Sequence, residues 1–213
     1  SVSSDRVVNI STAIENGFGD IEISVNCISD IKSKFSIKKE FILYTGGADE
    51  RKNLHRLIEA YAASGNDIRG QYQLVFAGKM PETEVTNLKH TAKKSGLLAD
   101  ELIFTGYLDD KELTALYKSC ALYVFPSWHE GFGLPALEAM ACGAPVIGAN
   151  TTSLPEVIGL QTALFDPFDV ASITEKIQSV LTDENLRKAL LKKSAEQVKK
   201  FSWDRTANIA IDA

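Results

Sequence analysis

Cysteine is scarce in this sequence: three occur among 213 residues, and no two form a C-x-x-C pair. An odd number of widely separated cysteines is typical of free, mostly buried thiols in a reducing compartment. No apolar run approaches the roughly 20 residues that a bilayer-spanning helix needs, and the start carries no secretory signal pattern. We therefore expect a cytoplasmic protein. Because the chain starts with serine, it is interpreted as part of a longer protein.

Positive charge is also in short supply. The formal net charge is −5 and the isoelectric point is about 5.3. A chain with this balance is not expected to bind nucleic acid. Any anion site must then depend on a few local cations and on backbone amides.

Two common nucleotide-binding signatures are missing. Neither G-x-G-x-x-G after the first predicted strand nor G-x-x-x-x-G-K-[ST] occurs, which disfavours NAD-dependent reduction and simple NTP hydrolysis. No metal site is expected either, because Asp110 of the Asp109-Asp110 pair is better placed as a helix cap. His55 and His90 lie on predicted helices without companion ligands. We expect no metal and no cofactor.

A regular alternation of short apolar runs and amphipathic stretches begins near Glu40. This alternation predicts an α/β fold, a doubly wound and mostly parallel sheet with helices on both faces. The predicted strands are Phe41–Thr45, Tyr72–Ala77, Leu102–Thr105, Ala121–Phe125, Pro145–Gly148 and Ala163–Phe165. The predicted helices between them are Asn53–Ser64, Glu82–Ser95, Asp110–Ser119, Pro135–Cys142 and Ser153–Ile158.

The two ends of the sequence are less regular. Val7–Ile10 is a candidate strand, and Ile31–Lys39 is interpreted as a polar connector. Beyond the last strand, two further helices are expected, one capped by Asp169 or Ser172 and ending near Leu181, the next running from Thr182 to about Phe201. A last helix is expected to begin at Ser202 or Asp204.

In sheets of this kind, ligands bind outside the carboxyl ends of the strands. The first strand is followed by Gly46 and Gly47, then by Arg51 and Lys52 just before a helix that Asn53 is expected to cap. Guanidinium and ammonium groups both suit phosphate oxygens. The alternative is a solvated charged loop, since two acids (Asp49 and Glu50) lie beside the cations. Gly78 and Lys79 follow the second strand, and Tyr107 the third.

The loop after the fourth strand is the most distinctive segment. It carries Glu130 and two glycines (Gly131 and Gly133), and a helix is expected from Pro135 with Glu138 in its first turn. Helix starts and glycines expose N–H groups that can bind phosphate, and the two carboxylates could accept hydrogen bonds from sugar hydroxyls. Alone, Glu138 could equally be a first-turn stabiliser. His129 is more often a packing partner than a general base.

These residues match a known family. The segment from Glu130 to Glu138, with seven residues between the two acids, and the segment Gly143–Ile147 resemble the signature of the retaining glycosyltransferases of family 4. The resemblance extends from about Phe41 to Arg205. It implies one half of a GT-B fold, in which two Rossmann-like domains face each other across a cleft.

The resemblance also implies residue roles. Arg51 and Lys52 would contact the diphosphate of a nucleotide-sugar donor, Glu138 the ribose, and Glu130 the transferred sugar, as the catalytic residue. Other donor contacts would come from the loops after the strands, through Gly46, Gly47, Gly78, Lys79, Tyr107, Leu108, Phe132, Gly133 and Leu134. Tyr107 and Leu108 would flank the nucleobase. The family generally needs no divalent metal, because cations and a helix start neutralise the departing diphosphate.

One departure concerns the acceptor. Family members carry an N-terminal domain that binds a glycan or lipid-linked acceptor, and this sequence has no room for it. Three parts are expected: 1–37 as the tail of that domain and a linker, 38–201 as the nucleotide-sugar domain, and 202–213 as the start of a crossover helix. Ser11-Thr12-Ala13 replaces the family's usual Pro-Asn-Gly.

The function expected is therefore donor binding within a hexosyltransferase, mannosyl transfer being one candidate, and this fragment alone is expected to be inactive. The full protein would act in polysaccharide or glycolipid synthesis, peripheral to the inner membrane face. Two alternatives stay open: a non-catalytic nucleotide-binding module, and half of a nucleotide-sugar epimerase or phosphorylase.

Overall fold

The structure is a computed structural model that describes residues 7–212. Six strands form a single sheet in which every pair is parallel. The strands are β1 (Glu40–Thr45), β2 (Tyr72–Ala77), β3 (Leu102–Gly106), β4 (Leu122–Phe125), β5 (Val146–Ala149) and β6 (Leu164–Phe165). Their order across the sheet is β3-β2-β1-β4-β5-β6. The predicted doubly wound parallel sheet is confirmed.

Helices cover both faces of the sheet. They are α1 (Val25–Lys34), α2 (Leu54–Ala63), α3 (Asn66–Gln71), α4 (Glu82–Lys94), α5 (Asp110–Ser119), α6 (Leu134–Ala141), α7 (Leu154–Ile158), α8 (Val170–Thr182), α9 (Glu184–Val198) and α10 (Trp203–Asp212). One layer packs α2 against α4 and α8, and another packs α6 against α5 and α9. Because each face is covered, the strands are almost continuously apolar, as in the buried run Phe41–Tyr44.

The sheet has its topological switch point between β1 and β4. Ile42 and Leu43 of β1 pair with Leu122 and Tyr123 of β4, while the other edge of β1 pairs with β2 along its whole length. The chain builds outward from β1 in one direction and from β4 in the other. The loops that follow these two strands therefore leave the same edge of the sheet side by side, which is where such folds bind ligands.

The regions outside the sheet differ most from expectation. Val7–Ile10 is not a strand, since these residues are exposed and pair with no strand among residues 7–212. The segment expected to be a polar connector instead contains the end of α1, whose N-terminus Ser24 caps by accepting a hydrogen bond from the Cys27 amide. Helix α3 was not expected. Both helices are short and polar, so their apolar periodicity is weak.

One helix cap and one helix end also differ from the prediction. Asp109, rather than Asp110, caps α5, and it forms a reciprocal pair of hydrogen bonds with Glu112. Helix α9 ends at Val198 instead of Phe201. Asp169 caps α8 as expected.

Glu101 and Arg69 form a nearly buried ion pair next to the edge of the sheet. The two guanidinium nitrogens Nε and Nη2 each lie 2.9 Å from a Glu101 oxygen, and the Leu98 amide also donates to this carboxylate. The hydrogen bonds from Arg69 hold the pKa of Glu101 below its ordinary value, although burial acts in the opposite direction. The pair connects α3 to the turn before β3.

Replacing Glu101 by Gln should therefore destabilise the fold at neutral pH by about 1–3 kcal/mol, because Arg69 keeps its charge without a counter-ion. A carboxyl with a depressed folded-state pKa contributes stability above its unfolded pKa and loses it as the pH falls through the folded value. Urea unfolding at pH 7 and at pH 3 should show the gap between wild type and E101Q shrinking at the lower pH. An equal gap at both pH values would contradict this assignment.

Candidate donor-binding site

Hydrogen bonds join the loops after β1 and β4 at the switch point. The carbonyl of Arg51 accepts from the Trp128 amide at 3.0 Å and from the Ser127 hydroxyl at 2.9 Å. Ser127 is fully buried, so this connection is shielded from water. The two loops, far apart in sequence, thus form one rim.

Arg51 and Lys52 both contact Glu130. Lys52 Nζ lies 2.6 Å from Glu130 Oε1, Arg51 Nη1 lies 3.0 Å from Oε2, and Arg51 Nε lies 2.7 Å from Asp49. Burial raises the pKa of Glu130, but the hydrogen bond from Lys52 and the positive charges of Lys52 and Arg51 outweigh it and hold that pKa below its usual range. Glu130 is therefore ionised at neutral pH and can only accept hydrogen bonds. The residue predicted to contact the sugar, Glu130, therefore lies next to the two residues predicted to contact the diphosphate, Arg51 and Lys52.

Asn53 does not cap α2 with its side chain, contrary to expectation. Its backbone has φ 61°, in the left-handed region, and no helix-capping bond forms. The buried side chain instead donates to the carbonyls of Pro126, at 3.1 Å, and Pro167, at 2.7 Å. Its amide oxygen accepts from Arg56. Asn53 thus binds three loops of the rim together, which no local pattern could indicate.

Glu138 lies in the second turn of α6 and not in the first, because the helix begins one residue earlier than expected, at Leu134. Burial, and to a lesser degree the negative charge of Asp110, raises the pKa of this half-buried carboxyl. Tyr117 of α5 donates a hydrogen bond to its Oε2 at 3.0 Å and acts in the opposite direction. A second-turn carboxylate gains little from the helix start.

The start of α6 has amides that are free to bind a ligand. Within residues 7–212, the N–H groups of Phe132, Gly133 and Leu134 donate to no protein acceptor. Gly133 has φ 108°, and a Cβ there would lie 2.7 Å from a Leu154 methyl group, so only glycine fits this turn. Ser153 fixes the turn by donating to the Phe132 carbonyl at 2.6 Å.

The loops after β1 and β2 come into close contact through glycines. A Cβ on Gly78 would lie 2.5 Å from the carbonyl oxygen of Gly46. Beside them, Gly47 and Lys79 line a cleft of about 520 Å³ that also contains Asp49, Glu50 and Glu84. The three acids outnumber Lys79, so the charge of this cleft is less favourable for a diphosphate than that of the rim.

Tyr107 and Leu108 lie further from the rim centre. They follow β3, the edge strand, which is separated from β1 by β2, or about 10 Å in total. The Tyr107 side chain is 77% exposed, whereas Leu108 packs partly against the core. The predicted donor residues are thus spread from the edge strand to the switch point.

Several residues of the rim escaped the sequence analysis. The hydroxyl of Thr45, at the end of β1, lies 2.8 Å from that of Tyr117 and 2.9 Å from that of Tyr123. A polar residue ending an apolar strand was the available signal. His129 contributes its carbonyl, which accepts from Arg51 at 3.0 Å.

No group of three or more potential metal ligands occurs among the described residues, and no helix in that range is long and apolar enough to span a bilayer.

Comparison with known proteins agrees with this geometry. The family model for glycosyl transferases of group 1 matches residues 28–197. The serotype-specific mannosyltransferase WbdA of Escherichia coli is 44% identical over 211 residues, which cover 99% of this chain and 26% of that protein. This chain therefore spans about a quarter of that relative's length.

Solved structures share the fold. Sucrose-phosphate synthase from Thermosynechococcus elongatus superposes with a TM-score of 0.71 at 31% identity, over 84% of this chain and 46% of that one. Anabaena Alr3699/HepE, solved in complex with UDP and glucose, superposes with a TM-score of 0.76 at 22% identity, over 89% of this chain and 52% of that one. The architecture is that of one GT-B domain, and the chain belongs to the group 1 glycosyl transferase family.

Proposed function

We propose that this chain binds the nucleotide-diphosphate sugar of a retaining glycosyltransferase that transfers a hexosyl group, with mannosyl as the leading candidate, to a glycan or lipid-linked acceptor. The supporting observation is the rim itself, where two cations meet a carboxylate beside three free amides at the switch point. The mannosyltransferase WbdA and the UDP- and glucose-bound HepE support the same ligand class. Family membership does not favour an epimerase, a phosphorylase or a non-catalytic module.

In this proposal the diphosphate lies against Arg51, Lys52 and the N-terminus of α6. Negative charge grows on the diphosphate as the bond to the sugar breaks, and fixed donors at that point stabilise the transition state. The cations and amides can neutralise this charge without a metal ion, so we propose none. Glu138 accepts hydrogen bonds from the ribose, and Tyr107 and Leu108 border the base.

The position of Glu130 implies an exchange of anions. Its carboxylate is paired with both cations. When a diphosphate takes over those cations, Glu130 is released towards the transferred sugar, where it accepts hydroxyl hydrogen bonds. We do not assign it as a nucleophile.

The acceptor requires more than this chain. We propose that a further domain of a longer protein binds the glycan or lipid, and that residues 1–37 and 202–213 connect to it on either side of the 38–201 domain. The fragment alone should then bind nucleotide but transfer no sugar. We also propose that the full protein works in the cytoplasm, peripheral to the inner membrane face.

Removing either rim cation should weaken nucleotide binding. Calorimetry with UDP, GDP and ADP should find one base preferred, and Arg51→Ala or Lys52→Ala should reduce its affinity about 10- to 100-fold, since each change removes a charged hydrogen bond to phosphate. Arg187→Ala is the matched control, because Arg187 lies beside Glu40 and Pro145 at the amino ends of the strands, opposite the rim. Equal affinities for all four proteins would refute the site.

Glu130→Gln should have the opposite effect on nucleoside diphosphate affinity. Removing the internal anion frees both cations, so the bare diphosphate should bind about 3- to 10-fold more tightly. Glu50→Gln, an exposed acid beside Arg51 in the loop after β1, controls for the change in net charge. Weaker or unchanged binding by E130Q relative to E50Q would contradict the anion exchange.

A further inference from the structure

A chain of hydroxyl groups runs beneath the switch point to Glu138. Thr45, the last residue of β1, lies between the hydroxyls of Tyr123, from β4, at 2.9 Å and Tyr117, from α5, at 2.8 Å. The Tyr117 hydroxyl continues to Glu138 Oε2 at 3.0 Å. Thr45 is 5% exposed and both tyrosines are 0% exposed. The chain therefore crosses the core on one path, from two adjacent strands to α6.

The orientation of the protons follows from the last acceptor. Tyr117 donates its single O–H proton to Glu138 Oε2. Tyr117 can then only accept from Thr45, and Thr45 in turn can only accept from Tyr123. All three O–H groups point towards Glu138, and aligned hydrogen bonds of this kind polarise and strengthen one another.

Glu138 is left with one oxygen for a ligand. Its Oε2 is occupied by Tyr117, while Oε1 has no protein partner among the described residues. Glu138 lies in the second turn of α6, beyond the first turn in which the helix start attracts a carboxylate. The helix start therefore does not orient its side chain. The hydrogen bond from Tyr117 holds Oε2 and so constrains the direction of Oε1.

We propose that Tyr117 is a positioning residue, which through Thr45 and Tyr123 fixes Glu138 so that its free oxygen accepts a hydroxyl of the donor ribose. This inference rests on the proposed nucleotide-binding function. It adds that residues of β1 and β4, beneath the site, help to position the ribose contact, which the rim loop alone would not fix. Packing does not require the hydroxyls, since phenylalanine and valine would fill the same volumes.

The test compares the affinity for GDP with that for 2′-deoxy- and 3′-deoxy-GDP, or the same set on UDP or ADP if that base binds more tightly. Wild type should prefer the ribonucleotide over one deoxy analogue, and Glu138→Ala should abolish this preference. Tyr117→Phe should reduce the preference about 3- to 10-fold, while the affinity for that deoxy analogue stays unchanged, because only the ribose contact is lost.

The controls separate positioning from folding. Tyr61→Phe also removes a buried tyrosine hydroxyl, one that lies away from the rim and donates to the Tyr72 carbonyl at 2.6 Å. This substitution should leave the preference for the ribonucleotide intact. Thr45→Val removes the hydroxyl that links the two tyrosines and should lower the preference for the ribonucleotide. Thr45→Ser keeps a hydroxyl at this position and should retain the wild-type preference.

Three results would overturn the proposal. If Y117F weakens the ribo- and deoxynucleotide equally, Tyr117 is merely structural. If Y117F keeps the full preference while Glu138→Ala abolishes it, the donor site stands and only the positioning role fails. If Glu138→Ala itself keeps the preference, the ribose contact is wrong and the inference falls with it.

Discussion

The parallel pairing of β1 with β4 is the constraint on which the site depends. It places the loop with Arg51 and Lys52 beside the loop with Glu130, although about eighty residues separate them in sequence. The same pairing puts Thr45 within reach of Tyr123 and so connects the sheet to Glu138 through Tyr117. Rim and underlying core are thus positioned by one pair of strands, whose buried apolar side chains fix their register.

Charge compensation within the rim is how we propose that an acidic chain holds an anion site. The net charge of −5 gives no long-range attraction for a diphosphate, so local geometry must supply it. In the rim, the carboxylates of Glu130 and Asp49 form ion pairs with the cations. In the proposed function, a phosphate ligand replaces the Glu130 carboxylate at these two cations.

Much of the fold was predictable because the strands are apolar runs of strand length and the helices between them are amphipathic. The rim loops were predictable for a related reason, since polar and glycine-rich segments follow the strands. The left-handed backbone of Asn53 was not, because its side chain is satisfied by two carbonyls from distant loops. Nor was the Tyr123–Thr45–Tyr117 chain, because the polar end of β1 gave no indication of its two tyrosine partners, which the sheet brings together. The short polar helices α1 and α3 carried too little apolar periodicity to be recognised.

We propose that this rim, and no other surface, holds the diphosphate. The most direct measurement is a crystal structure of the chain with its preferred nucleoside diphosphate. We expect phosphate oxygens within hydrogen-bond distance of Arg51, Lys52 and the amides at the start of α6, with the Glu130 ion pairs opened. A diphosphate bound elsewhere, for instance in the cleft beside Lys79 and Glu84, with Glu130 still paired to both cations, would show that the rim is not the diphosphate site.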